Sequence, residues 1–518
     1  MSKRVRTIII ALAAVLVLGG GLAAVLLLTD APADSDADSS ESTTLTLVDK
    51  SKDKKGEEIE KPVTRVEVTT ASESFVLADN KDGALAVEAY ADLPINSDQV
   101  STLTDALATI SANRKLDSPR EAKEYGLDKP QATVTVTYAD KSTYAFELGD
   151  MSGVSDEAYF RPTGTTDVYL VEKSFANTVL QKSTAYIGIS LISAPAVKDD
   201  DENGSVVMRD VVLTGSVRGN QPLTVRLTNS DDSDTVSLYT YLVETPYYRG
   251  ANDENAKAAF DSAYSLTAET AYIAYPTKKQ KSECGFDKPY SVAKMHTAVK
   301  TVETTSTTGT TSPGTTTSAT DEQKTKYYNV ESHTVTVGKK SDDGQYYVMV
   351  DDLNVIYLVA ADSIPWVEVT YNDVASTMLF LEDITGVQSI VVTENGKTTT
   401  FSLTHDAEAE DNDDMLTVKV DGKQTDTANF RQLYQVLMGV TRIGTADKTP
   451  TGTPDMIIRI NPLDSRDKTV EAKLYKTSGS RYTCVMLDGD VYAVAAGSVE
   501  TVSKQMANYL NGKDVLVY

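Results

Sequence analysis

A seven-residue phrase occurs twice in this chain and constrains its fold more than any other feature. The phrase EYGLDKP at residues 124–130 recurs as ECGFDKP at residues 283–289. A second phrase follows each copy, VYLV at 168–171 and IYLV at 356–359, and VYAV at 491–494 matches it again. In all three, another tyrosine lies ten residues before the tyrosine of the phrase. Self-similarity on this scale indicates one folded unit present in three tandem copies.

Hydrophobic periodicity predicts the contents of each copy. Alternating apolar residues flank a polar turn between residues 134 and 148, which is the pattern of a β-hairpin. Helical spacing in copies one and three predicts an amphipathic helix in each, over Val100, Leu103, Leu107 and Ile110, and over Phe430, Leu433, Leu437 and Val440. We therefore predict an α+β, strand-dominated fold of three related units of hairpins plus helices, over residues 63–197, 205–385 and 386–518. Within the second unit, residues 297–326 are rich in Thr and Ser and predict a disordered insert.

The N-terminus predicts a membrane anchor. Residues 8–28 carry no charge and are long enough to cross a bilayer, and three cations precede them. We expect a cytoplasmic basic tail at residues 1–6, one transmembrane helix at 7–29 in contact with lipid, and an extracytoplasmic chain beyond it. Residues 31–33 (Ala-Pro-Ala) also resemble a cleavage site, so secretion is the alternative. Residues 30–62 predict a polar stalk with one short strand near residues 44–48.

Charge and cysteine content narrow the partners. The 518 residues include 49 Lys and Arg against 75 Asp and Glu, a net charge of −26. Such an acidic chain repels phosphates, so we expect no nucleic-acid partner. Cys284 and Cys484 are the only cysteines. Nothing in their spacing requires a disulfide, and we predict two buried thiols.

The repeated phrase is interpreted as a backbone corner. Glycine adopts positive φ at low cost and proline fixes φ, so the glycine, aspartate, lysine and proline of each phrase predict a stiff turn before the hairpin. These residues are Gly126, Asp128, Lys129 and Pro130, and Gly285, Asp287, Lys288 and Pro289. A ligand contact is the alternative interpretation.

One acidic segment has the spacing of a calcium loop. Asp199, Asp201 and Asn203 stand at loop positions 1, 3 and 5, Gly204 at position 6 and Asp210 at position 12. The closing Asp210 is shorter than the usual glutamate, and a solvated acidic turn between copies one and two is the alternative. We expect no cofactor other than this calcium.

The corner, the hairpin that closes on residues 148–150, the tyrosine-rich strands and the N-terminal anchor together resemble the DUF4340 family of bacterial envelope proteins. The resemblance covers most of residues 63–518 and is partial in copy three. It implies an envelope protein often encoded beside ABC-transporter subunits of the gliding-motility type. It supplies no catalytic residues.

The remaining motifs do not point to an enzyme. The three histidines are far apart in sequence, and the chain has no phosphate-binding loop, dinucleotide fingerprint or nucleophile elbow. We therefore expect a non-catalytic, membrane-anchored extracytoplasmic accessory or scaffold of a membrane complex, such as an ABC-type permease with its ATPase. The alternative is a module of the cell envelope that binds a glycan, a wall polymer or a peptide.

Overall fold

The computed structural model describes residues 44–219, 221–229, 239–306, 321–406, 416–446, 448–464 and 468–517. It divides into two compact units. The smaller comprises the described part of Met1–Val63 with Val68–Ser72 and Asp105–Leu180, and the larger comprises Thr64–Glu67, Glu73–Thr104 and Gln181–Tyr518. The predicted basic tail, the anchor and the first part of the stalk lie outside the described residues. Within the described ranges, no helix has both the length and the apolarity that a membrane crossing requires.

The elements of the stalk and copy one come first along the chain. The strands are β1 (Leu45–Asp49), β2 (Val63–Thr70), β3 (Ser74–Asp79), β4 (Leu85–Val87), β5 (Thr109–Ala112), β6 (Arg114–Lys115), β7 (Ala132–Tyr138), β8 (Thr143–Met151), β9 (Glu157–Pro162), β10 (Tyr169–Glu172) and β11 (Ser190–Ile192). The helices are α1 (Ser97–Ala108) and α2 (Lys173–Val179).

The elements of copy two follow along the chain. Its strands are β12 (Ser205–Thr214), β13 (Leu223–Leu227), β14 (Tyr241–Thr245), β15 (Arg249–Gly250), β16 (Leu266–Thr267), β17 (Thr270–Ala274), β18 (Ser291–Ser306), β19 (Asp321–Lys340), β20 (Tyr346–Val350) and β21 (Val355–Val359). Its helices are α3 (Asp253–Phe260), α4 (Lys278–Glu283) and α5 (Tyr371–Val374).

Copy three completes the chain. Its strands are β22 (Val387–Glu394), β23 (Lys397–His405), β24 (Leu416–Val420), β25 (Lys423–Gln424), β26 (Arg442–Thr445), β27 (Met456–Pro462), β28 (Val470–Lys476), β29 (Arg481–Met486) and β30 (Val491–Ala495). Its helices are α6 (Thr427–Met438) and α7 (Ala496–Leu510).

Strand order shows that the three copies share one topology. The orders are β4-β3-β2-β7-β8-β9-β10-β6, β15-β14-β13-β12-β18-β19-β20-β21-β17 and β25-β24-β23-β22-β27-β28-β29-β30-β26. In each sheet two meanders join through their first strands, and the segment with the first helix leads from one edge strand to the opposite edge. The predicted tandem repeat and its α+β class are thus confirmed at the level of topology.

Apolar side chains of strands and helices share a core in copy three. The Phe430 ring of α6 lies 5.2 Å from the Phe401 ring of β23, and the Tyr509 ring of α7 lies 5.9 Å from Phe401. All three side chains are buried. The predicted helical stripes end early, because α1 stops at Ala108 and α6 at Met438, before Ile110 and Val440.

The Thr-rich insert corrects one prediction. Residues 297–306 and 321–326, predicted to be disordered, belong to β18 and β19, which pair from Thr297 with Glu331 to Ser306 with Asp321. Threonine is β-branched and favours extended backbone, so a segment with too few apolar residues to form a core can still pair as a hairpin. Residues 307–320 lie outside the described residues.

The stalk also folds in part. The short strand predicted near residues 44–48 is confirmed as β1, which pairs antiparallel with β5. Val48 on β1 is buried. The predicted stalk therefore includes a strand that is part of the smaller unit.

Candidate functional site

The repeated corner of copy one packs closely against strand β8. Gly126 ends the 3₁₀ turn Ala122–Tyr125 with a φ of 66°. A Cβ on Gly126 would lie 2.5 Å from Cγ of Asp150, and one on Gly149 would lie 2.1 Å from the carbonyl oxygen of Tyr125. Strand β8 therefore approaches the corner too closely for a side chain at either glycine.

Copy two repeats this contact with other residues. Gly285 has a φ of 89°, and a Cβ on it would lie 2.8 Å from the amide nitrogen of Lys339. A Cβ on Gly338 would lie 2.1 Å from the carbonyl oxygen of Cys284, and the amide of Lys339 donates to that oxygen at 3.0 Å. Sequence reasoning missed Gly338, although it stands where copy one has Gly149.

The polar members of the phrase lie outside these contacts. The side chains of Asp128, Lys129, Asp287 and Lys288 are exposed, and Pro130 and Pro289 are half-buried. In copy three, Gly452 also has positive φ, but a Cβ there would meet open space. Positive φ and close packing thus explain Gly126 and Gly285, and the packing is not repeated at Gly452.

The predicted calcium loop is only partly brought together. Asp201 and Asn203 share one turn, in which the amide of Asn203 donates to Oδ1 of Asp201 at 3.2 Å. Oδ2 of Asp201 accepts from the Tyr328 hydroxyl at 2.9 Å, and Oδ1 accepts from the Thr301 hydroxyl at 3.2 Å. Asp199 is exposed at the start of the turn.

The closing residue of that loop lies elsewhere. Asp210 belongs to β12, an extended strand, and its carboxylate contacts Nδ1 of His296 and Nε of Arg209, each at 2.6 Å. Throughout the described parts of the chain, no group of three or more His, Cys, Asp or Glu side chains is placed to hold a metal. The described contacts of Asp201 and Asp210 go to different residues, and the calcium loop stays a prediction.

A polar cavity of about 590 Å³ opens on the smaller unit. Its wall includes Glu157, which accepts from Asn113 at 3.0 Å and from Ser155 at 2.5 Å. These two donors lower the pKa of Glu157, the Ser155 hydroxyl contributing most. The other lining residues are Asp156, Glu172, Lys173, Ser174 and Asn177.

The joint between copies two and three contains an arginine–tyrosine cluster, buried except for the half-buried Tyr247. We use this name for Arg249, Arg442, Tyr371, Tyr492 and Tyr247. The Arg249 guanidinium carbon lies 4.8 Å from the Tyr492 ring centre, and that of Arg442 lies 4.9 Å from the Tyr371 ring centre. The Tyr247 ring meets both other rings edge-on, with centroids 5.6 Å apart in each case. The attraction between a cation and the face of an aromatic ring is stronger in a buried site than in water.

The two arginines of the cluster hold the chain segment that connects the copies. Arg442, only 2% exposed, donates from Nε to the Ser376 carbonyl at 2.9 Å and from Nη1 to Oδ1 of Asn372 at 2.9 Å. It also donates to the Ala375 carbonyl, and Arg249 donates to the Met378 carbonyl. The connector between the copies is therefore fixed through its carbonyl groups.

Burial changes the ionisation of the cluster. It lowers the pKa of Arg442, and the positive charge of Arg249 adds to this effect. The Tyr492 hydroxyl donates to Oδ2 of Asp490 at 2.6 Å and lies 3.1 Å from the Tyr371 hydroxyl. Burial raises the pKa of Tyr492, which therefore stays a phenol and a donor. The arrangement holds and orients a chain segment.

A different set of residues lies at the joint between copies one and two, within the larger unit. The Tyr275 hydroxyl donates to Oδ1 of Asp92, and the rings of Tyr275 and Tyr90 lie 6.0 Å apart at 50°. The Tyr90 hydroxyl lies 3.3 Å from the Ser183 hydroxyl. Asp92 is exposed, and Tyr275 is 38% exposed. We call Tyr90, Asp92 and Tyr275 the tyrosine platform.

Sequence reasoning missed both joints. Only Tyr492 carried a signal, because it belongs to the repeated phrase VYAV. The other members stand alone in sequence, and long-range folding brings them together.

The strand order and the joints define a class, namely α+β proteins built from tandem antiparallel sheets linked by docked connectors. The family described as a domain of unknown function, DUF4340, matches residues 86–289 and again residues 251–456, and the chain belongs to this family. From the first match to the second, the start shifts by 165 residues and the end by 167, as a tandem repeat requires. No curated protein and no solved structure matches the chain.

Proposed function

We propose that this protein is a non-catalytic extracytoplasmic scaffold, anchored by residues 7–29, that serves a membrane complex such as an ABC-type transporter. The observation that carries the proposal is the arginine–tyrosine cluster. It holds copies two and three in one compact unit, so that surfaces on both copies keep a fixed relation to each other. A protein that aligns several partners needs this kind of fixed spacing between its binding surfaces.

The chemistry of the cluster supports a holding role over a catalytic one. Strongly shifted pKa values often mark active sites, but buried structural networks shift them too. Here the guanidinium groups of Arg249 and Arg442 donate to main-chain carbonyls of the connector. The Asp490 carboxylate accepts from Tyr492. Arg249, Arg442 and Asp490 therefore each have a structural partner.

A crosslinking pull-down from native membranes tests the proposal. With the full-length protein as bait, we expect permease or ATPase subunits of an ABC-type transporter, and we expect their loss when residues 1–29 are replaced by an unrelated anchor. An Arg442→Met variant removes the donors that hold the connector, so the crosslinked yield should fall severalfold. Arg481→Met, at an exposed position on β29, is the matched control.

Two results would overturn the scaffold role. One is recovery of no transporter subunit by the full-length protein. The other is an unchanged yield with Arg442→Met, provided that limited proteolysis shows a loosened joint in that variant.

A further inference from the structure

We propose that the tyrosine platform, Tyr90, Asp92 and Tyr275, is a saccharide-binding site that takes a neutral segment of an envelope glycan. This inference goes beyond the scaffold role and does not rest on it, because the platform lies at the other joint of the larger unit.

The two rings of the platform are held in place before any ligand arrives. The amide of Tyr275 donates to the Asn354 carbonyl at 2.8 Å, and its hydroxyl donates to Asp92. The ring of Tyr90 is held at its far end by Ser183, whose hydroxyl and amide contact the Glu73 carboxylate at 2.6 and 3.0 Å. A rigid platform loses little conformational entropy when a ligand binds.

The backbone at Tyr275 has an unusual conformation for an aromatic residue. Its φ is 49°, directly after β17 ends at Ala274. Left-handed backbone is unfavourable for a residue with a bulky side chain and is retained where the surrounding structure enforces it. The conformation does not serve to bury the side chain, since 38% of Tyr275 remains exposed. It brings the ring to the joint, beside Tyr90 and Asp92.

The side chains match the chemistry of a sugar. The C–H face of a pyranose packs on an aromatic ring, and a carboxylate accepts hydrogen bonds from its hydroxyl groups. Burial and the bond to Asp92 raise the pKa of Tyr275 to about 12, so its hydroxyl remains a donor at neutral pH. The net charge of −26 disfavours polyanionic ligands, which leaves neutral glycans favoured.

A protein partner fits the platform less well. Stable protein interfaces bury about 800 Å² on each side and involve roughly 20 residues or more. The platform consists of three side chains, and the residues that follow Tyr275 along the chain include the exposed Lys278 and Lys279.

Isothermal titration calorimetry of the full-length protein with chitotetraose and with cellotetraose tests the proposal. The protein should be kept in a detergent without sugar head groups, because such heads would compete for the site. We expect saturable binding of at least one oligosaccharide. Tyr275→Ala should weaken it by about tenfold or more, because it removes the exposed ring, and Tyr90→Ala should also weaken it, because it removes the ring that Tyr275 packs against. Tyr248→Ala, at a tyrosine that is 53% exposed elsewhere in the larger unit, is the matched control and should bind as the wild type does.

The outcomes separate cleanly. Binding of neither oligosaccharide at about 10 mM would overturn the proposal, as would equal affinities of Tyr275→Ala and Tyr248→Ala. If Tyr275→Ala lowers the denaturation midpoint, its loss of binding could reflect misfolding. Tyr275→Phe then serves as the test, because it keeps the stacking ring and loses only the bond to Asp92, so it should still bind the oligosaccharide. A protein adduct from a photoreactive residue at position 275, without saccharide binding, would assign the platform to a protein partner instead.

Discussion

Buried arginine side chains stabilise the connector between copies two and three by donating hydrogen bonds to its main-chain carbonyls. Arg218, which is buried, donates to the carbonyls of Trp366 at 2.8 Å, Val367 at 2.9 Å and Val369 at 2.8 Å. It also donates to the Ser291 hydroxyl at 2.8 Å. Burial lowers the pKa of Arg218 to about 10, so it remains charged at neutral pH. A guanidinium group suits this role because its five donors can satisfy several carbonyls at once.

Asp490 gives this region a testable dependence on pH. Burial raises the pKa of Asp490 above the ordinary 3.8, so the folded chain binds a proton at this carboxylate more tightly than the unfolded chain does. The free energy of unfolding contributed by Asp490 therefore decreases as pH rises from 3.8 through the folded-state pKa. Asp490→Asn removes the titration, and the variant should gain stability relative to the wild type across that window. Urea unfolding of both proteins between about pH 3 and about pH 7 measures the difference.

The control for this prediction is Asp343→Asn, in the exposed turn between β19 and β20. A stability difference between Asp490→Asn and the wild type that is the same at every pH would contradict it.

At the scale of single residues, the sequence predicted the corner glycines but not their partners. Gly126 and Gly285 recur in a phrase with proline, which is enough to indicate a turn with positive φ. Gly149 and Gly338 have ordinary φ and are required only because a carbonyl oxygen from another element lies 2.1 Å from where their Cβ would be. That requirement arises from the packing of two elements and leaves no local pattern.

At the scale of elements, β1 shows how a polar segment acquires structure. Its partner β5 follows helix α1 in copy one, and Val48 faces Ile110 across the pair. In copy two, β16 follows helix α3 in the same way and pairs with β11 from the end of copy one. The stalk thus gives copy one the strand that the end of copy one gives copy two. Periodicity indicated that β1 exists, but its partner is more than fifty residues away and was not predictable from it.

Val48→Asp tests the pairing of β1. A carboxylate at this buried position loses its hydration without gaining a partner, so β1 should detach from β5. The chain should then be cleaved by trypsin after Lys50, Lys52, Lys54 and Lys55 about tenfold faster or more, because local opening exposes the backbone. Leu45→Asp, at an exposed position on the same strand, is the control. Equal cleavage of the two variants would contradict the prediction.

At the scale of the whole molecule, the family matches and the sheets agree on the repeat. The family matches two overlapping regions that are shifted by about 166 residues from each other, and the three large sheets share one topology. Membership of the family supplies no activity, since the family is itself of unknown function. The anchor and its partners therefore remain the subject of proposals.

The predicted anchor has a direct test. Residues 8–28 are uncharged and long enough to span the hydrocarbon core, so the full-length protein should stay in the membrane pellet after an alkaline carbonate wash. Removal of residues 1–29 should release it, whereas removal of residues 30–43 should not. If expression of the full-length gene yields a soluble protein that lacks about thirty N-terminal residues, the cleaved alternative is favoured.

The sequence by itself determined the tandem repeat, its content of hairpins and helices, and the corner turns. These features follow from local periodicity and from glycine and proline, which act over a few residues. Only the tertiary structure decided what the joints contain. Tyr371 meets Tyr492 across 121 residues, and Asp92 meets Tyr275 across 183. Contacts between residues so far apart in sequence depend on how the folded sheets and connectors dock. Neither composition nor periodicity predicts that docking.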